Sequence, residues 1–365
     1  MKLSIFSEYI SSPEEKASEP ILYPFWGIPS VKSNALKNGC YPWSECFDNY
    51  IKIGKSIFQL SSLEKADVAI VPLNWAEVET LETKLQLVKF LEKGQQAGKQ
   101  TISFFGGDHS YTNLPTHCDL IFRQSMYASI RKQNDFAMPA WGEDFIKTYF
   151  NNQIILRQKP VKPTVGFCGF SANISLKTYA KSILYKTEQF FHKPQAPKYN
   201  IGHIIRLKAL PTLSKSSLVK TNFVIREQPF FNEKNANLQR QVREEYFQNM
   251  INSDYIFCCR GYGNFSFRFY EALSCGRIPV FVNSNCVLPY DFEIDWKKYC
   301  VWVEENEISL IPEKVAEFHE KLQPQEFLDL QSECRRIWEQ RLSPEGFYSN
   351  LYRHLPLVSR NLVTN

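Results

Sequence analysis

The sequence predicts an α/β protein of two doubly wound, Rossmann-like domains facing across a cleft, followed by C-terminal helices. Three observations lead there. The chain has 365 residues, more than one hydrophobic core of ordinary size organises. Short apolar runs alternate with helical patterns on both sides of a break at 153–163, the order expected of parallel βα units. Residues 254–283 then read as strand, glycine-bearing loop, helix and strand, and sheets of this kind bind ligands at the carboxyl ends of their strands.

Taken in order, residues 2–6, 67–72, 100–105 and 119–123 are the first strands. A helix covers 82–97, with leucines and a valine at helical spacing and Gly98 as its stop. The leading MKLSIFSEYI has one lysine and a short apolar run, which reads as the first strand rather than a signal peptide. Residues 1–158 therefore form a first Rossmann-like domain, closed by charge and by Pro160 and Pro163. A strand at 164–168, Gly169 and a helix over 173–190 restart the pattern and open a second domain, 159–343. Within it, 194–220 is irregular, 237–252 and 266–275 are helices, and 255–259 and 278–282 are strands. Amphipathic helices fill 312–342, and 344–365 is a tail.

Hydrophobic residues make up 44% and aromatics 15%, enough for packed cores, yet no run approaches the ~20 apolar residues of a membrane span. The ten cysteines are scattered without a CxxC pair, so zinc is not indicated. Several lie in apolar runs such as YIFCC and VGFCGF, where a thiol behaves as a small hydrophobe. Free thiols imply a reducing compartment, hence the cytoplasm. Two Asn-x-Ser sequons occur, at Asn173 and Asn264. Between Asp144 and Glu227 the only acidic residue is Glu188, against lysines and arginines from Lys147 to Arg226. That stretch is either a solvated face or a surface for phosphate, on a ligand, on a lipid-linked molecule or at the inner face of a membrane, touched peripherally. No nucleic-acid-binding motif accompanies it.

The chemistry concentrates in DYIFCCRGYGNFSFRFYEALSCGRIPVFVN. Gly261 and Gly263 permit close approach of a ligand to the backbone. The loop ends at a helix N-terminus near Ser266, whose free N–H groups favour phosphate oxygens. Arg268 in the first turn supplies a guanidinium for a diphosphate. Glu271 follows on the same face and suits ribose hydroxyls. Spacing leaves open a second reading, in which Arg268 and Glu271 are only a surface ion pair.

The run RGYGNFSFRFYEALSCGRIPVFVNS, followed by LPYDFEIDW at 288–296, resembles the signature of the exostosin family, glycosyltransferase family 47. The matching positions are Arg260, Gly261, Ser266, Arg268, Glu271, Ala272, Gly276, Pro279, Val280, Leu288, Pro289 and Trp296. TISFFGGDHS, with Gly106, Gly107, Asp108 and His109, and the upstream ADVAIVPLNW resemble the family's N-terminal motifs. The resemblance implies a GT-B fold and an inverting glycosyltransferase. A nucleotide sugar, a UDP-sugar, would sit on Arg260, Gly261, Tyr262, Gly263, Ser266, Arg268 and Glu271, with Tyr262 bordering the base. A glycan or lipid-linked saccharide acceptor would sit on the first domain, with no essential metal. Asp291, Glu293 and Asp295 would border the donor pocket.

Inversion needs a general base on the acceptor hydroxyl. Asp108 and His109, just past a strand's carboxyl end, are the candidates, with Glu8 in reserve; an imidazole titrates near neutrality. His203, Arg206 and Arg226 could meet phosphate, and Trp75 and Trp141 could stack on sugar rings. Two alternatives remain: a GDP-sugar enzyme of fucosyltransferase type, and an inactive scaffold subunit of a glycosyltransferase complex.

Overall fold

The computed structural model describes residues 2–10, 18–29, 45–78, 80–114, 116–171, 180, 201–227 and 236–356. Its strands are β1 (Leu3–Phe6), β2 (Phe58–Leu60), β3 (Val68–Ile70), β4 (Gln100–Phe105), β5 (Leu120–Arg123), β6 (Asp135–Ala137), β7 (Thr164–Phe170), β8 (Lys220–Arg226), β9 (Tyr255–Cys258), β10 (Ile278–Asn283) and β11 (Val301–Glu304). They form a six-stranded sheet, β2-β1-β3-β4-β5-β6, and a five-stranded one, β11-β10-β9-β7-β8. Every pairing is parallel. Central strands are buried along their whole length, as in β5 and β9, because helices cover both faces of a parallel sheet.

In the second sheet the chain steps from β7 outward to β8, then returns to the other side of β7 with β9. This reversal makes the carboxyl ends of β7 and β9 the switch point, where open α/β sheets leave a crevice. The first sheet reverses likewise about β1.

Two elements cross between the domains. The helix Phe145–Phe150 buries Phe145 and Ile146 in the second core. The helix Pro344–Ser349 returns to the first core, where Phe347, Tyr348 and Leu351 pack with Phe104 and Phe122. Crossed helices of this kind fix the two sheets relative to each other by burial rather than by surface contacts.

Most sequence-predicted elements occur within a residue or two, β4 at 100–105 included. The stretch 194–220 does not behave as expected. It contains the helix Ile201–Lys215, with Pro211 inside, and the start of β8. Burial of Ile201, Ile204, Ile205, Ala209, Leu210 and Leu213 offsets the ~3 kcal/mol a helix-interior proline costs. Strand β8 alternates poorly, yet pairs with β7 from Thr164↔Lys220 to Phe170↔Arg226. The helix expected at 173–190, the sequon at Asn173 and Cys40 lie outside the described residues.

Candidate active site

The site is built where β7 and β9 end. After β9 the chain turns through Arg260–Phe265, and the Gly261 N–H donates to the Phe265 carbonyl at 3.1 Å. A Cβ on Gly263 would fall 2.5 Å from the Phe265 ring and 2.6 Å from Asp108 Oδ1, so only glycine fits. Above Gly261, by contrast, no atom of the described residues lies within 4 Å of a Cβ position. Ser266 then stands at the N-cap of the helix Phe267–Ser274 without using its side chain as a cap.

Arg268, in that helix's first turn, donates from Nη2 to the Cys168 carbonyl at 2.8 Å. Its guanidinium lies 4.5 Å from the Phe167 ring centre and 5.6 Å from that of Tyr246. Arg206 arrives from the helix Ile201–Lys215 and donates to the Phe170 carbonyl at 3.0 Å, also over Phe167. Two guanidinium groups thus grip alternate carbonyls at the end of β7. Among the described residues each keeps a buried Nε–H with no partner, an arrangement that costs free energy unless something negative approaches. Arg226, at the end of β8, pairs with Glu245 and leaves its own Nε unmet. His203 sits edge-on to Phe170 at 4.5 Å; burial, aided by Arg206, pushes it down to about 4, so it is neutral at pH 7.

Glu271 is buried at 4% exposure and accepts the Tyr246 hydroxyl. Its other oxygen backs onto Gly142, where a Cβ would come within 3.3 Å. Burial raises its pKa, against the opposing pull of Tyr246, Arg268 and Arg243. Arg268 and Glu271 therefore do not form a surface ion pair: one grips a main-chain carbonyl, the other a phenol, and both face inward.

Across the crevice, Asp108 and His109 follow β4. Arg123 shapes their turn, buried against Asp135 at 2.6 Å and donating to the carbonyls of Ser110 and Thr112. The Asp108 carboxylate accepts the Gly263 N–H at 2.9 Å, so the two domains touch through their carboxyl-end loops. His109 is exposed; its ring meets Tyr262 at 5.4 Å, and its Nδ1 lies 3.2 Å from the Tyr111 hydroxyl. Arg260 is buried as a strut, donating from Nη2 to the Tyr127 hydroxyl and the Tyr262 carbonyl, both at 2.8 Å.

Residues 195–318 match the family model described as the Exostosin GT47 domain. That segment is similar to an exostosin GT47 domain. Over 97 residues it is 32% identical to Exostosin-1 of Drosophila melanogaster, an alignment covering 27% of this chain and 12% of that protein. Over 121 residues it is 29% identical to the Exostosin-1 homolog of Caenorhabditis elegans, covering 33% of this chain and 28% of the other. The chain thus spans only a minor part of these relatives. Among solved structures, a mutant of S. aureus TarM in complex with fondaparinux, alpha-GlcNAc-glycerol and UDP aligns over 82% of this chain and 51% of that one, at 11% identity and a TM-score of 0.30. WaaG, a glycosyltransferase involved in lipopolysaccharide biosynthesis, aligns over 81% and 86%, at 13% identity and a TM-score of 0.29. Overlaps that loose add nothing to the topology. The two doubly wound sheets, with their carboxyl ends meeting, are themselves the GT-B arrangement.

Several expected site residues prove to be scaffold. Asp291 pairs with Arg131, Glu293 with Arg341 and Arg353, and Asp295 caps the turn at Trp296–Lys298. That acidic run ties the domain to the first domain and the C-terminal segment rather than bordering a donor pocket. Glu8 is held by Lys93 at 2.5 Å. Trp75 and Trp141 are buried, Trp141 donating to the Leu342 carbonyl at 3.0 Å. Asn264 is 0% exposed. Its side chain bonds the Met126 and Asn285 carbonyls and the Ser284 hydroxyl, so the folded chain offers no sequon there.

The nine described cysteines are free. Among the described residues no group of three metal-ligating side chains converges, and no helix is long and apolar enough to cross a membrane. Tyr246, Tyr111, Tyr127 and Arg123 escaped the sequence reading. No motif marks them, and they join the site only through packing.

Proposed function

We propose that this chain is an inverting glycosyltransferase that moves a sugar from a UDP-sugar to a hydroxyl of a glycan or lipid-linked saccharide. The paired guanidinium groups of Arg206 and Arg268 at the β7/β9 switch point carry this reading. Their unmet Nε–H groups suit diphosphate oxygens, beside the start of the helix Phe267–Ser274. In this reading Arg268, Arg206 and the Ser266 N-cap hold the diphosphate. The open space over Gly261 admits the donor, and the free oxygen of Glu271 takes ribose hydroxyls. His109 removes the acceptor proton as the acceptor oxygen bonds to the anomeric carbon and UDP departs with the electron pair of the broken C–O bond. Asp108, engaged by Gly263, fixes the loop rather than acting as the base. Developing charge on the diphosphate is met by the arginines, so no metal is required. Location at the cytoplasmic face of a membrane is part of the same proposal, supported by the basic stretch from Lys147 to Arg226.

Calorimetric titration with UDP, GDP, CMP and ADP tests it, on the wild type and on Glu271→Ala and Arg268→Ala. Selective UDP binding, lost in both variants, is the expected result. GDP selectivity would transfer the assignment to a fucosyltransferase-like enzyme. No nucleotide binding up to millimolar concentration would refute enzyme function and leave a scaffold role.

A further inference from the structure

We propose that Tyr262, with His109 and Tyr111, forms a preorganised aromatic shelf on which a pyranose ring of the acceptor stacks. The inference rests on the transferase reading above and assigns Tyr262 to the acceptor instead of the nucleobase. Tyr262 is 40% exposed, although it belongs to the loop that leads into the arginine site. Its ring meets the His109 ring of the other domain edge-on at 5.4 Å. His109 in turn meets Tyr111 at 6.1 Å, and Tyr111 meets Tyr127 at 5.9 Å, both edge-on.

Every member is held from behind. The Tyr262 carbonyl is bonded by Arg260, the next N–H along by Asp108, and the His109 turn by Arg123. Ordering such a surface costs little on binding because it is ordered beforehand.

The chemistry of the shelf fits a sugar better than a second anion. Arg260 is buried, donating to Tyr127 and the Tyr262 carbonyl, so it brings no guanidinium to the surface. The Tyr111 phenol remains neutral at pH 7, its pKa raised by burial and by the neighbouring tyrosines. An apolar ring face edged by a phenol and an imidazole matches a pyranose, which has a C–H face and a rim of hydroxyls. A ring stacked there would hold its hydroxyls beside His109, where the proposed base needs one.

Saturation-transfer NMR with methyl β-D-glucopyranoside, methyl β-D-galactopyranoside and methyl β-D-glucuronide, with UDP saturating, tests the shelf. At least one glycoside should show saturation of its ring protons, reduced about five- to tenfold in Tyr262→Ala and kept in Tyr262→Phe. UDP affinity, measured separately by calorimetry, should stay within about twofold in both variants. Equal saturation in Tyr262→Ala, or none for any glycoside at tens of millimolar, overturns the shelf. So does a loss of UDP affinity in Tyr262→Ala, which would return the ring to the donor. Failure of UDP to bind the wild type would instead refute the transferase reading itself.

Discussion

Replacing Arg268 by lysine keeps the charge and removes the fork, which separates two jobs this residue performs. Arg268 donates to the Cys168 carbonyl at 2.8 Å and stacks on Phe167 and Tyr246 at 4.5 and 5.6 Å. A hydrogen bond from a charged donor is worth ~1.5–3 kcal/mol, and a partly desolvated cation–π contact ~1–2 kcal/mol. Lysine recovers some of both, so the net stability loss is about 2 kcal/mol. A lysine ammonium reaching for one of these partners leaves no second donor aimed at a diphosphate. UDP affinity should then fall about 10–100-fold, ~1.4–2.7 kcal/mol, the difference between forked and single contacts. Uridine has no diphosphate, so its affinity should change by less than about twofold. Calorimetry with both ligands, beside urea unfolding, reads all three quantities. If the unfolding midpoint drops while UDP affinity is unchanged, Arg268 is a strut between β7 and its helix and the diphosphate assignment fails. Parallel losses for UDP and uridine would mean a collapsed site and would refute the argument equally.

Two further predictions concern protons. Burial raises Glu271, so its folded pKa lies above the unfolded value. The stability gained from its protonated form is complete below the ordinary carboxylate range and is lost as pH rises through the raised value. Glu271→Gln should therefore melt progressively higher than the wild type as pH is raised from about 4 to about 8, while UDP binding disappears. A melting gap that stays constant with pH would contradict this. His354 is caged by Phe122, Phe136, Tyr290, Phe292 and Phe347, and burial pushes it down to about 3. Stability owed to its neutral form is present above the usual imidazole range and is lost as pH falls from about 6.5 toward that value. His354→Phe should shift the acid-unfolding midpoint to lower pH, as followed by circular dichroism. An unchanged midpoint would show that another group sets acid lability.

The sequence by itself determined the alternation of strands and helices, the division into two α/β domains and the loop-helix motif. These are local properties: period and punctuation record which face of an element is buried, and β4, β9 and the helix Phe267–Ser274 fall where that pattern puts them. Spacing already marks Arg268 and Glu271, and resemblance to the exostosin signature favours a donor site there over a surface ion pair. The helix Ile201–Lys215 stayed hidden because Pro211 interrupts its local signal, and only burial against the second core offsets that interruption. Tertiary structure alone decided which charges are free. Arg206 and Arg268 both reach the end of β7 because the second sheet reverses about that strand, and nothing in either local sequence records this. Asp108 is committed to Gly263 and the acidic run to Arg131, Arg341 and Arg353 for the same reason. A charged side chain's partner is set by the docking of distant elements, which residue spacing does not encode.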